Sequence, residues 1–131
     1  MSLAAEKWRG VRLLIVEDEY FLAQDLADHF QSLGVKVLGP AGTVADALDI
    51  LKSQEVEGAV LDVNLRGERV YPVADVLLQK DVPFVFASGY GAELEPDAYT
   101  GVPRCIKPVD FALLTKTLAE RIAAAKIRVE H

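Results

Sequence analysis

Residues 13–19, LLIVEDE, join an apolar run directly to three consecutive acidic residues. The run from Val11 to Val16 contains one arginine and is otherwise apolar, the pattern of a strand buried on both faces of a parallel sheet. Asp18 and Glu19 then stand where a helix would begin, and acidic side chains are favoured at that end of a helix. The stretch therefore predicts a buried strand that leads directly into a helix, with carboxylates at the junction.

Apolar runs and segments of helical period alternate along the rest of the chain. Further strands are predicted at Val35–Leu38, Ala59–Leu61, Val82–Ala87 and Arg104–Ile106. Helices are predicted from the acidic junction to Leu33, after a Thr43 cap, around Pro72 in a first turn, and from Pro108 to about Lys126. Between Tyr90 and Val102 glycines and prolines interrupt the helical pattern, so we expect a short or mobile helix. These units predict a flavodoxin-like three-layer α/β sandwich with helices on both faces of a five-stranded parallel sheet of order 2-1-3-4-5.

Four short polar signals follow predicted strands, and the carboxyl ends of parallel strands meet at one sheet edge. The signals are Glu17-Asp18, Asp62, Ser88-Gly89 and Lys107-Pro108. Together they favour a divalent-metal site, a carboxylate that accepts a phosphoryl group, a hydroxyl that senses it and a lysine that neutralises it.

Composition limits the alternatives. The 131 residues suit one domain, and the apolar stretches fall short of the roughly 20 residues that a bilayer span requires. A net charge of −6 without a basic cluster argues against nucleic acid as a partner. The single Cys105 and the lack of a signal-like start favour the cytoplasm. The predicted elements assign residues 11–127 to the domain, 1–10 to an N-terminal extension and 128–131 to a tail. The first three residues of the extension could be a cloning remnant.

LLIVEDE, VLDVNL, FVFASGYG and CIKPVD resemble the receiver domain of two-component response regulators, over a span from about Val11 to Ile127. FASGYG also resembles the FATGUY subgroup of these receivers. The resemblance implies a single-domain regulator that accepts a phosphoryl group on Asp62 from a histidine kinase or phosphotransfer protein, with Mg²⁺ required. It implies an unknown downstream protein partner, a monomer that could dimerise when phosphorylated, and a phosphoacceptor rather than a dedicated turnover enzyme.

The resemblance also assigns roles at the phosphorylation site. Glu17 and Asp18, with Asp62, would bind Mg²⁺. Asn64 would offer its backbone carbonyl to the metal, and its side chain would overhang the acyl phosphate. Lys107 would contact the phosphoryl oxygens, aimed inward by a cis peptide before Pro108.

Four further residues would form the switch and the output surface. The Ser88 hydroxyl would move toward the phosphoryl group, and Gly89 would leave the space above Asp62 open. Tyr90 is the signature aromatic residue of the subgroup. Arg104 stands where many receivers carry a switch aromatic, so a hydroxyl-to-aromatic coupling cannot operate here in the usual way.

Plainer interpretations exist for each signal and for the whole. Asp62 could be a solvated strand-end residue, Asp18 a helix cap, Ser88-Gly89 an ordinary turn, and Lys107 an exposed lysine before a helix. A haloacid-dehalogenase-type hydrolase would need a second aspartate where the chain has Asn64. A phosphate sink for a shared kinase and a phosphorylation-independent pseudo-receiver remain as alternative functions.

Overall fold

A computed structural model of the chain describes residues 3–89 and 96–130, with the backbone alone at 3–5 and at 129–130. Five parallel strands form one sheet. They are β1 (Arg12–Val16), β2 (Lys36–Ala41), β3 (Gly58–Asp62), β4 (Phe84–Ser88) and β5 (Arg104–Ile106). The spatial order is β2-β1-β3-β4-β5. This order confirms the predicted flavodoxin-like sheet.

Helices cover both faces of the sheet and bury two apolar layers. They are α1 (Leu3–Trp8), α2 (Tyr20–Ser32), α3 (Val44–Ser53), α4 (Tyr71–Gln79) and α5 (Phe111–Glu130). One layer joins α3 and α4 to Leu14, Leu61 and Phe86 of the sheet. The other joins α1, α2 and α5 to Ile15 and Val85. Alternate residues of each strand therefore enter opposite layers, as expected for strands buried on both faces.

Strand register fixes the edge on which the polar residues meet. Asp62, the last residue of β3, lies opposite Ala87 of β4. Ser88, which ends β4, lies opposite Ile106 of β5, and Lys107 follows directly. The carboxyl ends of three neighbouring strands therefore deliver an acid, a hydroxyl and an amine to the same edge.

Helix ends differ from the predictions where a cap was not recognised. Thr43 caps α3 as predicted, because its side chain accepts a hydrogen bond from the Asp46 N–H at 3.1 Å. The helix predicted from Pro108 instead begins at Phe111, since the Asp110 carboxylate accepts the Leu113 N–H at 3.1 Å and takes the capping position. This helix continues past Lys126 to Glu130 because its last residues contain no glycine or proline to stop it.

Two connections carry structure that the sequence patterns did not predict. The polar loop after β3 forms a two-stranded antiparallel hairpin, Asn64–Leu65 with Glu68–Arg69. Arg66 and Gly67, at its tip, both have positive φ, as a tight hairpin turn requires. Strand β2 extends beyond the predicted Leu38 to Ala41, through a cis Gly39–Pro40 peptide.

The segment with poor helical signal, predicted over Tyr90–Val102, contains a 3₁₀ turn at Asp97–Tyr99. Tyr99 is buried there, stacks on Tyr71 with ring centroids 5.1 Å apart and donates its hydroxyl to the Asp75 carboxylate. These contacts anchor a sequence too rich in glycine and proline for a longer helix. Residues 90–95, including Tyr90, lie outside the described residues.

The N-terminal extension is packed into the fold through Trp8. This side chain is 2% exposed and meets the Phe30 ring at a centroid distance of 5.4 Å. The burial of this large ring joins α1 to the apolar layer that also contains residues of α2 and α5.

Candidate functional site

Three carboxylates converge at the carboxyl edge of the sheet. Glu17 follows β1, and its N–H bonds the Ala41 carbonyl of β2 at 2.9 Å, which fixes the backbone at the junction predicted from LLIVEDE. Glu17 and Asp62 are 3% and 6% exposed, whereas Asp18 is half-buried. One oxygen from each lies within 4.8 Å of the others. This arrangement concentrates negative charge where little water can screen it.

Lys107 supplies the balancing cation. Its Nζ lies 2.8 Å from Glu17 Oε1 and 3.1 Å from Asp62 Oδ2. The Lys107 N–H also donates to the Ser88 carbonyl at 2.8 Å, and the Lys107–Pro108 peptide is cis. Burial lowers the pKa of the Lys107 ammonium, but the two carboxylates raise it by more, so the net pKa lies above its usual value. The amine is therefore held charged between two acids.

Glu17 shows the electrostatic cost of this cluster. Burial raises the pKa of its carboxyl from 4.5 to about 7, against the opposing effects of Lys107 and of the Glu19 N–H, which donates to Oε2 at 3.0 Å. The neighbouring charge of Asp62 raises the pKa further. One lysine therefore does not fully compensate the buried carboxylates, and a further cation would favour their ionised forms.

Both oxygens of Asp62 are oriented by donors. Oδ1 accepts the Asn64 N–H at 3.1 Å, and Oδ2 accepts from Lys107. The carboxylate plane is thus fixed at the end of β3. A fixed carboxylate beside an ammonium can act as an in-line nucleophile toward an electrophilic phosphorus.

The hairpin after β3 holds the Asn64 side chain and brings in a residue that the sequence analysis missed. Asn64 Oδ1 accepts the Gly67 N–H at 2.7 Å, so in this structure its amide carbonyl is bound to the hairpin turn. Arg66, at the tip, places Nε 3.5 Å from Asp18 Oδ2. Both contacts depend on the left-handed φ values at the hairpin tip, for which the sequence offered only Gly67 as a signal.

Two of the predicted switch residues lie in strands, since Ser88 is the last residue of β4 and Arg104 is the first residue of β5. Ser88 is 3% exposed, and its Oγ accepts a hydrogen bond from Arg104 Nε at 2.6 Å. A Cβ placed on Gly89 would meet no atom within 4 Å, so the described part of the chain leaves open space there. The structure therefore joins Ser88 to Arg104, while Tyr90 lies outside the described residues.

Known proteins share this arrangement of strands. No protein-family model matches the chain. SdrG from Sphingomonas melonis Fr1 is 34% identical, with a TM-score of 0.75 over 87% of this chain and 97% of SdrG. The BeF3-activated conformation of SdrG from Pseudomonas melonis Fr1 aligns with a TM-score of 0.68 over 95% and 98% of the two chains, at 34% identity. The REC domain of the PhyR response regulator from Erythrobacter litoralis is 25% identical, with a TM-score of 0.72 over 87% and 91%.

The chain belongs to the receiver-domain family of response regulators. The phyllosphere-induced regulator PhyR of Methylorubrum extorquens is 33% identical over 92 residues, which cover 68% of this chain and 34% of PhyR. The receiver domain therefore spans about a third of that relative. Across residues 3–89 and 96–130, its helices are too short or too polar to cross a membrane.

Proposed function

We propose that this receiver domain is a single-domain response regulator of the FATGUY subgroup, acting in the cytoplasm. It accepts a phosphoryl group on Asp62 from the phosphohistidine of a histidine kinase or phosphotransfer protein. Phosphorylation then changes its binding surface and so changes which downstream partner it binds. It is a phosphoacceptor and not a dedicated turnover enzyme. The observation that carries the proposal is the buried Asp62 carboxylate, held by Lys107 beside two further acids.

The site suits transfer of a phosphoryl group from nitrogen to oxygen. The P–N bond of the donor histidine breaks, its electron pair stays on the imidazole nitrogen, and a P–O bond forms to an Asp62 oxygen. Phosphoryl transfer requires positioning and charge stabilisation more than covalent chemistry by the protein. The Asn64 N–H and Lys107 orient the nucleophile, and Lys107 is close enough to follow the negative charge onto the phosphoryl oxygens.

The oxygen donors at the site fit a magnesium ion. Glu17, Asp18 and Asp62 present carboxylate oxygens that converge within 4.8 Å, and Asn64 would add its backbone carbonyl. Mg²⁺ favours a few carboxylates together with water and phosphate oxygens. When bound, it would neutralise charge on the phosphoryl oxygens. The raised pKa of Glu17 supports this assignment, because a divalent cation is the compensation that the buried carboxylates lack.

Asp18→Asn is expected to weaken Mg²⁺ binding by at least about tenfold, the loss typical even of residues that only support a metal ligand. The unfolding free energy without metal should change by less than about 1 kcal/mol, because the Arg66–Asp18 pair is a surface interaction. Isothermal titration calorimetry in the absence of phosphodonor measures the affinity, with the exposed Asp25→Asn as the charge-matched control. If Asp18→Asn and wild type bind Mg²⁺ equally, Asp18 is not a ligand.

An exposed aromatic pair beside the acidic junction supports a protein donor. Tyr20 and Phe21, at the start of α2, are 72% and 76% exposed, and their rings meet edge to face at 5.4 Å. Large exposed aromatics beside a reactive group are typical of a protein contact surface. We assign this pair to the contact with the phosphohistidine protein.

Phe21→Ala is expected to slow phosphotransfer from the cognate kinase about tenfold, the loss typical of an aromatic interface residue. Labelling by acetyl phosphate should be unchanged, since that donor is too small to reach the ring. Ile127→Ala is the matched control, because Ile127 is also an exposed apolar residue, 56% exposed. It lies far from the site, about 24 Å along α5 from Phe111, the residue that begins this helix shortly after Lys107. Equal slowing with both donors would place Phe21 in the chemistry instead of the contact.

Phosphotransfer itself provides the test of the proposed function. The protein is incubated with Mg²⁺ and acetyl phosphate, and separately with a panel of phosphorylated histidine kinases from the source organism. We expect an acid-stable, base-labile phosphoryl group that EDTA prevents, and rapid transfer from one or a few kinases. A folded protein that gains no phosphoryl group from any donor would instead be a phosphorylation-independent binding module.

A further inference from the structure

Ser88 carries a buried hydroxyl whose proton has no acceptor among residues 3–89 and 96–130. Its Oγ accepts from Arg104 Nε at 2.6 Å, and the side chain is 3% exposed. A hydroxyl has one donor and two acceptor positions, while a guanidinium only donates. The contact with Arg104 therefore uses an acceptor position and leaves the proton unused. Buried donors rarely remain unsatisfied, so an acceptor is expected to arrive in another state of the protein.

The position of Ser88 indicates which acceptor this is. Ser88 directly follows Ala87, the residue paired with Asp62 across β3 and β4. Its backbone is fixed by the Lys107 N–H, which donates to the Ser88 carbonyl at 2.8 Å. The hydroxyl is thus held at the edge where Asp62 and Lys107 meet. Oxygens added to Asp62 are the acceptors that this edge would receive.

Arg104 reaches Ser88 along the neighbouring strand. Arg104 pairs with Phe86 across β4 and β5, two residues before Ser88. Its guanidinium therefore extends toward the carboxyl end of the sheet to make the contact. A charged donor makes a stronger hydrogen bond than a neutral one, and it polarises the O–H bond of the hydroxyl that accepts it.

We propose that Arg104 is a positioning residue that fixes the Ser88 hydroxyl as a hydrogen-bond donor to the phosphoryl group on Asp62. The inference rests on the proposed function. Arg104 occupies an acceptor position of Ser88 from the β5 side, so the proton turns away from β5 and toward the incoming oxygens. Many receivers carry a switch aromatic at this position. Arg104 has a different role there, because it contacts the Ser88 hydroxyl directly.

A double-mutant cycle on beryllofluoride binding tests this coupling. Beryllofluoride with Mg²⁺ mimics a phosphoryl group on a carboxylate, and its affinity is measured by titration for wild type, Ser88→Ala, Arg104→Met and the double variant. We expect Ser88→Ala to weaken binding about tenfold or more. Arg104→Met should weaken it about fivefold in the wild-type background and not at all in the Ser88→Ala background. Arg104→Lys, which keeps a charged donor, should recover part of the loss.

The controls separate this inference from the proposed function. Arg121→Met removes an arginine that donates to the Gly101 carbonyl, and it should leave beryllofluoride affinity unchanged. In the ligand-free protein, the Arg104 Nε–H resonance should shift in Ser88→Ala and not in Arg121→Met. An equal loss for Arg104→Met with and without Ser88, or an unshifted resonance, would overturn the role of Arg104. Failure of wild type to bind beryllofluoride would overturn the proposed function and this inference with it.

Discussion

Asp62→Asn is expected to abolish phosphorylation while the fold remains intact. An amide oxygen is a poor nucleophile toward phosphorus, whereas it can still accept the Asn64 N–H that orients residue 62. The substitution also removes one of two buried carboxylates that share Lys107. The unfolding free energy of the metal-free protein should therefore stay within about 1 kcal/mol of wild type.

Radiolabelled acetyl phosphate with Mg²⁺ measures this first prediction, and circular dichroism during urea unfolding checks the fold. Asp81→Asn is the matched control, because it makes the same chemical change at an exposed residue with a left-handed φ that asparagine tolerates. The control should label like wild type. Labelling of Asp62→Asn at the wild-type level would remove Asp62 from the chemistry.

Lys107→Met is expected to lower both phosphorylation and metal-free stability. Loss of one preorganised charge at a reacting group typically costs about 10²–10³ in rate. Without the ammonium, Glu17 and Asp62 would be buried acids with no cationic partner in the described site. Breaking buried ion pairs in this way typically lowers the unfolding free energy by about 3 kcal/mol. Mg²⁺ should restore part of the stability, because the cation replaces some of the lost charge.

The stability loss in Lys107→Met should depend on pH. In the wild-type protein Lys107 lowers the pKa of the buried Glu17 carboxyl, which still lies at about 7. Without Lys107 this pKa should rise further, so the additional cost of ionising Glu17 in the folded variant appears only as pH rises through about 7. Urea unfolding in EDTA should therefore show a larger loss at pH 8 than at pH 6. The exposed Lys116→Met serves as control and should show little loss at either pH. A loss that does not change with pH would contradict the arrangement of charges described for Lys107.

Local sequence patterns were enough to predict the sheet and the edge that carries the site. LLIVEDE, with its continuous apolar run, predicted a strand buried on both faces, and β1 is buried in that way. The strand-end positions of Asp62, Ser88 and Lys107 predicted one polar edge, because parallel strands align their carboxyl ends. The spacing of apolar residues and the polar residues that follow each strand both involve residues close together in the chain. Both can therefore be recognised in a single sequence.

The contacts that define the site in detail depend on residues far apart in the chain. Nothing near Arg104 indicates that its guanidinium binds Ser88, sixteen residues earlier. The Arg66–Asp18 pair requires a hairpin that only the folded chain positions. Likewise, the raised pKa of Glu17 arises from burial, which a sequence pattern does not quantify. A long side chain can reach several possible partners, and the partner that it contacts is determined only when the strands of the sheet have assembled.

The most direct test of the phosphoacceptor assignment is to locate the modified residue. The wild-type protein is phosphorylated with acetyl phosphate and Mg²⁺, reduced with borohydride to convert the acyl phosphate into an alcohol, and mapped by peptide mass spectrometry. The account predicts conversion of Asp62 to homoserine, with Glu17 and Asp18 unmodified. Conversion at another residue, or none in a folded protein with Mg²⁺ present, would contradict it.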